Sequence, residues 1–328
     1  MTPLRTRLLQ LGLDALYYSR LSTLLDARTG GIGAIFMLHH VRDGWAPPDF
    51  APNRSLEVAS DFLDRVITEV AARGYEFVDL DEAQRRVIAG GSSRRFACFT
   101  LDDGYADNYL HALPVFRRHG VPFTIYLNSG LPDGTTVLWW RVLEHVIAAH
   151  DEIHVDIDGQ EQRFYTRIPA AKYRAFKKIY QHWRPLEPAT QRRECRALGD
   201  RYGVDPAALC RDVALTWDQL RDLRASGLAT IGAHTVSHTA LTALTPDEIA
   251  GELTADADAI ERELGERPRH FAYPYGDAAS AAAREFSIVG KLGFGTATTT
   301  RKGVLFPEHA QHLHALPRVS LNGDFQKT

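Results

Sequence analysis

An α/β fold is predicted for this 328-residue chain from three observations. Short apolar runs alternate with helix-like segments over most of its length. Two of those runs end in clustered carboxylates or histidines. A third site, an aromatic turn bearing Pro and Gly, follows a long helix-like segment. Chemistry gathered at strand ends is the usual arrangement in folds that alternate strand and helix.

Leu4 to Leu25 reads as an amphipathic helix rich in leucine, broken or flanked by Arg5, Arg7, Asp14, Arg20 and Asp26. No uncharged stretch there is long enough to span a bilayer, and no small-residue cleavage site follows an apolar segment. The expectation for residues 1–30 is a helix packed on the rest of the chain and a cytoplasmic location. A second reading lays the same helix on a membrane surface.

Next comes a strand, Ile35 to Val41, that runs into His39 and His40. Leu56 to Ala89 reads as helix, strand (Glu76 to Val78) and helix. Arg95 to Leu101 reads as a buried strand, stopped by a turn at Gly104. A helix over Asn108 to His119 and a strand over Phe123 to Leu127 keep the rhythm. It breaks between Pro132 and Leu215, where a helix after Trp139-Trp140, a polar hairpin and a basic helical stretch suggest an insertion, about 132–215, into a domain over 31–328. Trp217 then opens a helix before the strand beginning at Ala229, and a helix-like run covers Asp247 to Leu264.

Asp102 and Asp103 stand where the Arg95 to Leu101 strand ends. Adjacent carboxylates resist ionising together unless a cation is near, so one Asp is suited to a metal and its neighbour to free base. Alone, Asp-Asp-Gly is most simply a solvated turn. The Ala229 strand runs into His234 and His238, and a pair four apart converges if the chain there is helical. With fourteen histidines in the chain, one such pair arises readily by chance. Such a pair at a predicted strand end, together with Asp-Asp-Gly at another, is much less readily explained by chance. One carboxylate with two imidazoles is a common metal set with open positions, and Zn²⁺ is the default, with Co²⁺, Ni²⁺ and Fe²⁺ also suited to imidazole.

The third piece is Phe271-Ala272-Tyr273-Pro274-Tyr275-Gly276. In order, Thr100-Leu101-Asp102-Asp103-Gly104, His234-Thr235-Val236-Ser237-His238 and this segment resemble the first three motifs of the NodB-type polysaccharide deacetylases (carbohydrate esterase family 4). The resemblance spans about Ala34 to Leu321. It implies an irregular (β/α) barrel and a metal-dependent hydrolase that removes N-acetyl groups from an N-acetylated glycan. It further implies Asp102 as general base, Asp103, His234 and His238 as ligands of a divalent metal, and the backbone N–H of Tyr275 as oxyanion donor.

Two departures from the family pattern matter. Ala272 stands where many members carry an Arg that pairs with the catalytic Asp, and Arg318 is the candidate substitute. The usual C-terminal Leu-x-x-His motif is missing around His312 and His314. The first strand instead resembles that of a circularly permuted branch, which aligns His39 with the general acid. His39 could otherwise be a satisfied histidine at a strand end, and His40 should turn to the opposite face.

Composition adds limits. A net charge of -3 gives no sign of nucleic-acid binding, and Cys98, Cys195 and Cys210 make no disulfide framework. Trp139 and Trp140 could stack on sugars, though core packing is the simpler reading. The run Lys172, Arg174, Lys177, Lys178 is most simply a solvated face. Two other functions stay open: a carbohydrate-binding homologue that has lost activity, and an amidase or deformylase acting on a small non-sugar amide. The sugar, its chain length and the oligomeric state are not legible.

Overall fold

The structure, a computed structural model, describes residues 29–44 and 46–326. The helix expected over 1–30 lies almost wholly outside the described residues. Among the described residues twelve strands follow in order: β1 (Gly33–Leu38), β2 (His40–Arg42), β3 (Glu57–Ala59), β4 (Glu76–Phe77), β5 (Phe96–Asp103), β6 (Phe123–Leu127), β7 (Glu152–Ile157), β8 (Gln160–Tyr165), β9 (Ala229–Ala233), β10 (His270–Ala272), β11 (Thr296–Lys302) and β12 (Leu316–Ser320).

Seven of them form a closed parallel barrel in the order β1-β12-β11-β10-β9-β6-β5, with β5 pairing back to β1. The first strand therefore fills the gap between the last strand and β5. Strand β4 adds to the start of β5, where Glu76 pairs with Phe96. All eight residues of β5 are buried, as expected of a parallel strand covered on both faces.

Helices on the outside are set by ordinary signals. Helix Pro246–Leu264 starts with a capping box between Thr245 and Glu248, carries Pro in its first turn, and ends at Gly265 with φ 76°. Its buried stripe contains Ile249, Leu253, Asp256, Ala257, Ile260 and Leu264. Five apolar members explain its packing; Asp256 is the one acid among them. No helix among the described residues is long and apolar enough to cross a membrane.

Between β6 and β9 the chain forms helix Trp139–Ala149, the antiparallel hairpin β7–β8, and helices Pro169–Trp183, Pro188–Tyr202 and Pro206–Arg211. These elements share a second apolar core, with Val142, Leu143, Ile153, Ile179 and Trp183 at its centre. Cys98, Cys195 and Cys210 are buried free thiols.

Some local expectations need correction. Leu56 is not helical in the α sense: a 3-10 turn and β3 precede helix Ser60–Ala72. Asn108 to Ala112 is a π-helical turn leading into helix Leu113–His119. Lys172 is not simply solvated. Its Nζ donates to the carbonyls of Ile147 and Ala148 at 2.7 and 2.6 Å, where helix Trp139–Ala149 ends and carbonyls lack partners.

Candidate active site

The C-terminal ends of the barrel strands bring Asp102, Asp103, His234, His238, Tyr275 and His39 to one mouth, and Arg318 reaches up from within. Strand β5 supplies the two carboxylates by a break in alternation. Asp103 adopts φ 76°, a left-handed value uncommon for a non-glycine residue. That twist lets neighbours that would point to opposite faces lie side by side. Five non-glycine residues among those described have such values, and four of them, Asp103, Thr235, His238 and Tyr275, are here. Strain concentrated at one place motivates a functional reading of it.

The two carboxylates, each 2% exposed, meet different environments. Arg318 sits on β12, 1% exposed, and grips Asp102 with both arms: Nη1 donates to Oδ1 at 2.6 Å and Nη2 to Oδ2 at 2.7 Å. Its Nε donates to the Thr299 carbonyl at 2.9 Å and Nη1 also to Thr100 Oγ1 at 3.1 Å. Burial pushes the Asp102 pKa up, but the charge and hydrogen bonds of Arg318 outweigh it, and the net is below the usual carboxylate value. Asp102 is thus ionised and its charge is matched.

Asp103 has no such partner. Its Oδ1 lies 3.2 Å from His234 Nε2 and 3.1 Å from His238 Nε2, yet it accepts no hydrogen bond. His234 Nδ1 lies 2.8 Å from the Ala272 carbonyl, so it donates there and leaves Nε2 as a lone pair in the neutral ring. A carboxylate oxygen then faces the His234 lone pair across a buried gap, with His238 Nε2 3.1 Å away and His238 Nδ1 unpartnered. A cation resolves that conflict. The three ligand atoms lie within 4.8 Å of one another, and tetrahedral ligands at about 2.1 Å from a Zn²⁺ would stand about 3.4 Å apart. The residues fit a divalent ion. Burial opposes charge on His234, but Asp103 and Asp102 beside it raise its pKa overall. The pocket calls for positive charge.

The histidine pair converges by a route other than the expected helical turn. Strand β9 stops at Ala233, and His234 to His238 is an irregular loop. Left-handed Thr235 (φ 65°) and His238 (φ 54°) fold it back, so the rings meet with centroids 5.0 Å apart. Asp256 holds this loop. Fully buried, it accepts from the backbone N–H of His234 at 2.8 Å and of Ser129 at 3.0 Å, tying the ends of β9 and β6 together. Burial pushes its carboxyl up to about 6. Asp256→Asn would keep one acceptor and turn an N–H₂ towards a backbone donor. It should lower stability by about 1–3 kcal/mol, read as the urea midpoint, and weaken metal binding. An unchanged midpoint and affinity would mean that the two bonds are dispensable.

His39 follows β1, with Nε2 3.9 Å from Asp102 Oδ2. Burial lowers its pKa, partly offset by the charges of Asp102 and Asp103. Asn108 Nδ2 donates to the His39 carbonyl at 2.8 Å, fixing the corner. His40 is turned to Asp107, 2.7 Å from Nδ1 to Oδ2, and stacks on Tyr105 at 3.6 Å. His314 Nε2 bonds the Phe294 carbonyl.

The segment between β6 and β9 comes up to one side of the site. Trp139 and Trp140 are 3% and 6% exposed, yet Trp140 lies 4.9 Å from the His238 ring. Asp107, Asn108 and Asp256 were not singled out from the sequence. Asp256 could have been, as a lone acid on an otherwise apolar helical stripe. Asp107 and Asn108 carry no comparable local signal.

A (β/α) barrel with this set of carboxylates, imidazoles and buried guanidinium at its mouth defines a class of hydrolase scaffold. A family profile described as polysaccharide deacetylase matches residues 89–294, and the chain belongs to that family. Among solved structures, it is similar to the Streptococcus pyogenes deacetylase PplD, solved in complex with acetate (18% identity, 88% of this chain and 92% of that one, TM-score 0.58). It is also similar to IcaB from Ammonifex degensii (17%, 89% and 93%, TM-score 0.56) and to a de-N-acetylase from Aggregatibacter actinomycetemcomitans (14%, 89% and 96%, TM-score 0.55). At these identities the likeness is one of fold. A comparison with curated protein sequences found no match.

Proposed function

We propose that this chain is a metal-dependent N-deacetylase that hydrolyses the N-acetyl group of an N-acetylhexosamine in a polysaccharide, oligosaccharide or lipid-linked glycan. The observation that carries the reading is the division of charge between the paired carboxylates. Arg318 satisfies Asp102, whereas Asp103 faces two imidazoles across a gap that needs a cation. Family membership supplies the acetylated glycan as substrate class.

A divalent ion held by Asp103, His234 and His238 would polarise the acetyl carbonyl and make a nearby water more acidic. Asp102 would take a proton from the attacking water. Its clamp by Arg318 fixes both oxygens, so the base is aimed as well as ionised. The backbone N–H of Tyr275 would stabilise the oxyanion, a contribution of about 3–4 kcal/mol per donor in other enzymes. His39 would protonate the amine as it leaves, since an amide nitrogen departs badly without a proton. The intact set argues against an inactive binding homologue.

The test is a panel of N-acetylated glycans, with O-acetyl esters and small amides alongside, scored for acetate and free amine together. Equal acetate and amine from hexosamine substrates is expected. Turnover confined to esters or to small non-sugar amides would contradict the proposal.

His39→Ala should slow amide hydrolysis by about 10²-fold and an activated ester by much less, because a good leaving group needs no acid. The acid must be protonated to act, and burial lowers its pKa. Amide turnover should therefore fall as pH rises, beginning below the ordinary imidazole value, and His39→Ala should abolish that limb. Equal losses on both substrates would assign His39 a structural part.

A further inference from the structure

Tyr275 is held from two sides. On the barrel side, Thr300 Oγ1 donates to the Tyr275 carbonyl at 2.7 Å, and the Thr300 N–H donates to the Gly276 carbonyl at 3.0 Å. On the insertion side, Trp139 Nε1 donates to the Tyr275 hydroxyl at 3.0 Å. Arg184, directly after helix Pro169–Trp183, lies over the Tyr275 ring at 4.8 Å. Its Nη2 donates to Asp277 Oδ2 at 2.6 Å and to Ser280 Oγ at 2.9 Å. One guanidinium therefore grips the ring and the chain two residues on.

The residue held this way is strained. Tyr275 has φ 61°, a conformation that a bulky residue leaves unless its surroundings enforce it. The strain sets where its backbone N–H points. From the barrel, Thr300 binds carbonyls of the loop and the His238 ring lies 5.0 Å from that of Tyr275; the hydrogen bond to the Tyr275 hydroxyl and the cation over its ring both come from the insertion. Trp139 and Arg184 touch none of Asp102, Asp103 or His39, so they act on the reaction only through the loop.

We propose that Trp139 and Arg184 are positioning residues through which the insertion holds Tyr275 in its left-handed conformation and keeps its backbone N–H aimed at the reacting carbonyl. This rests on the reading that the N–H stabilises the oxyanion. It gives the 132–215 segment a part in turnover. A donor displaced from where negative charge develops loses effect in the transition state and little in the ground state, so the signature is in kcat.

The test uses Trp139→Phe, which keeps an aromatic ring and removes the N–H, with Arg184→Ala and Arg184→Lys in the full chain. Both Trp139→Phe and Arg184→Ala should lower kcat about tenfold, a fraction of the effect of deleting a donor. KM should stay within about twofold and metal content should be full. Arg184→Lys should recover most of the rate, because an ammonium can still pair with Asp277 and lie over the ring. Independently of activity, backbone amide exchange across 275–277 should quicken in Arg184→Ala and stay unchanged in β5 and β9. Unchanged exchange in the loop overturns the proposal, as does faster exchange there with unchanged kcat. Quickened exchange throughout the barrel would assign both residues to general stability and also overturn it. Faster loop exchange in a protein whose wild type releases no acetate would instead overturn the deacetylase reading and leave the hold on Tyr275 standing.

Discussion

The His234→Ala/His238→Ala variant is expected to fold, to carry no stoichiometric divalent ion and to release no acetate above background. Asp103 is buried with Oδ1 unpaired, and the two Nε2 atoms at 3.1 and 3.2 Å are the groups that complete its set. One carboxylate left alone cannot compensate the dehydration of a divalent ion. Among the described residues this is the one cluster of three or more metal-ligating groups found to converge. The loop itself should survive, since its N-terminal end is held through the backbone by Asp256. Metal content by elemental analysis checks the first half of the prediction and acetate release the second. Full occupancy in the double variant would remove the site from consideration.

Asp102→Asn should do the opposite to metal and nearly the same to turnover. The amide cannot accept a proton at neutral pH, and general-base catalysis contributes about 10²–10⁴-fold, so turnover should fall within that range. Metal should stay bound, because Asp102 is occupied by Arg318 at 2.6 and 2.7 Å and Asp103 faces the histidines. Some stability should be lost as well, since the buried guanidinium gives up part of its compensating charge. Asp103→Asn should lose metal. If metal leaves with Asp102→Asn and stays with Asp103→Asn, the roles of the two neighbours are reversed.

Much of this was legible in the sequence, for identifiable reasons. Buried parallel strands are continuous apolar runs, so β5, β6 and β9 stand out. Paired polar residues at their ends mark the barrel mouth without any structure. Arg318 came from a departure from the family pattern: Ala272 stands where many members carry an Arg that pairs with the catalytic Asp, which made Arg318 the candidate substitute.

What stayed illegible is backbone conformation and long-range satisfaction. Periodicity places His234 and His238 on a helical turn, whereas the chain joins them through left-handed Thr235 and His238, which propensity does not foresee. The Asn108 bond to the His39 carbonyl spans 69 positions, and no local signal announces such a contact. The tie between Trp139 and Tyr275 spans 136.

The central claim is that acetate release depends on a divalent ion held by Asp103, His234 and His238. The most direct measurement strips the protein with a chelator, returns Zn²⁺ or Co²⁺ in steps, and follows acetate release from an N-acetylated oligosaccharide against bound metal. The account predicts no release from the stripped protein and a rate that climbs with occupancy to a plateau at about one ion per chain. Full release by the stripped protein, or a rate indifferent to occupancy, would contradict it.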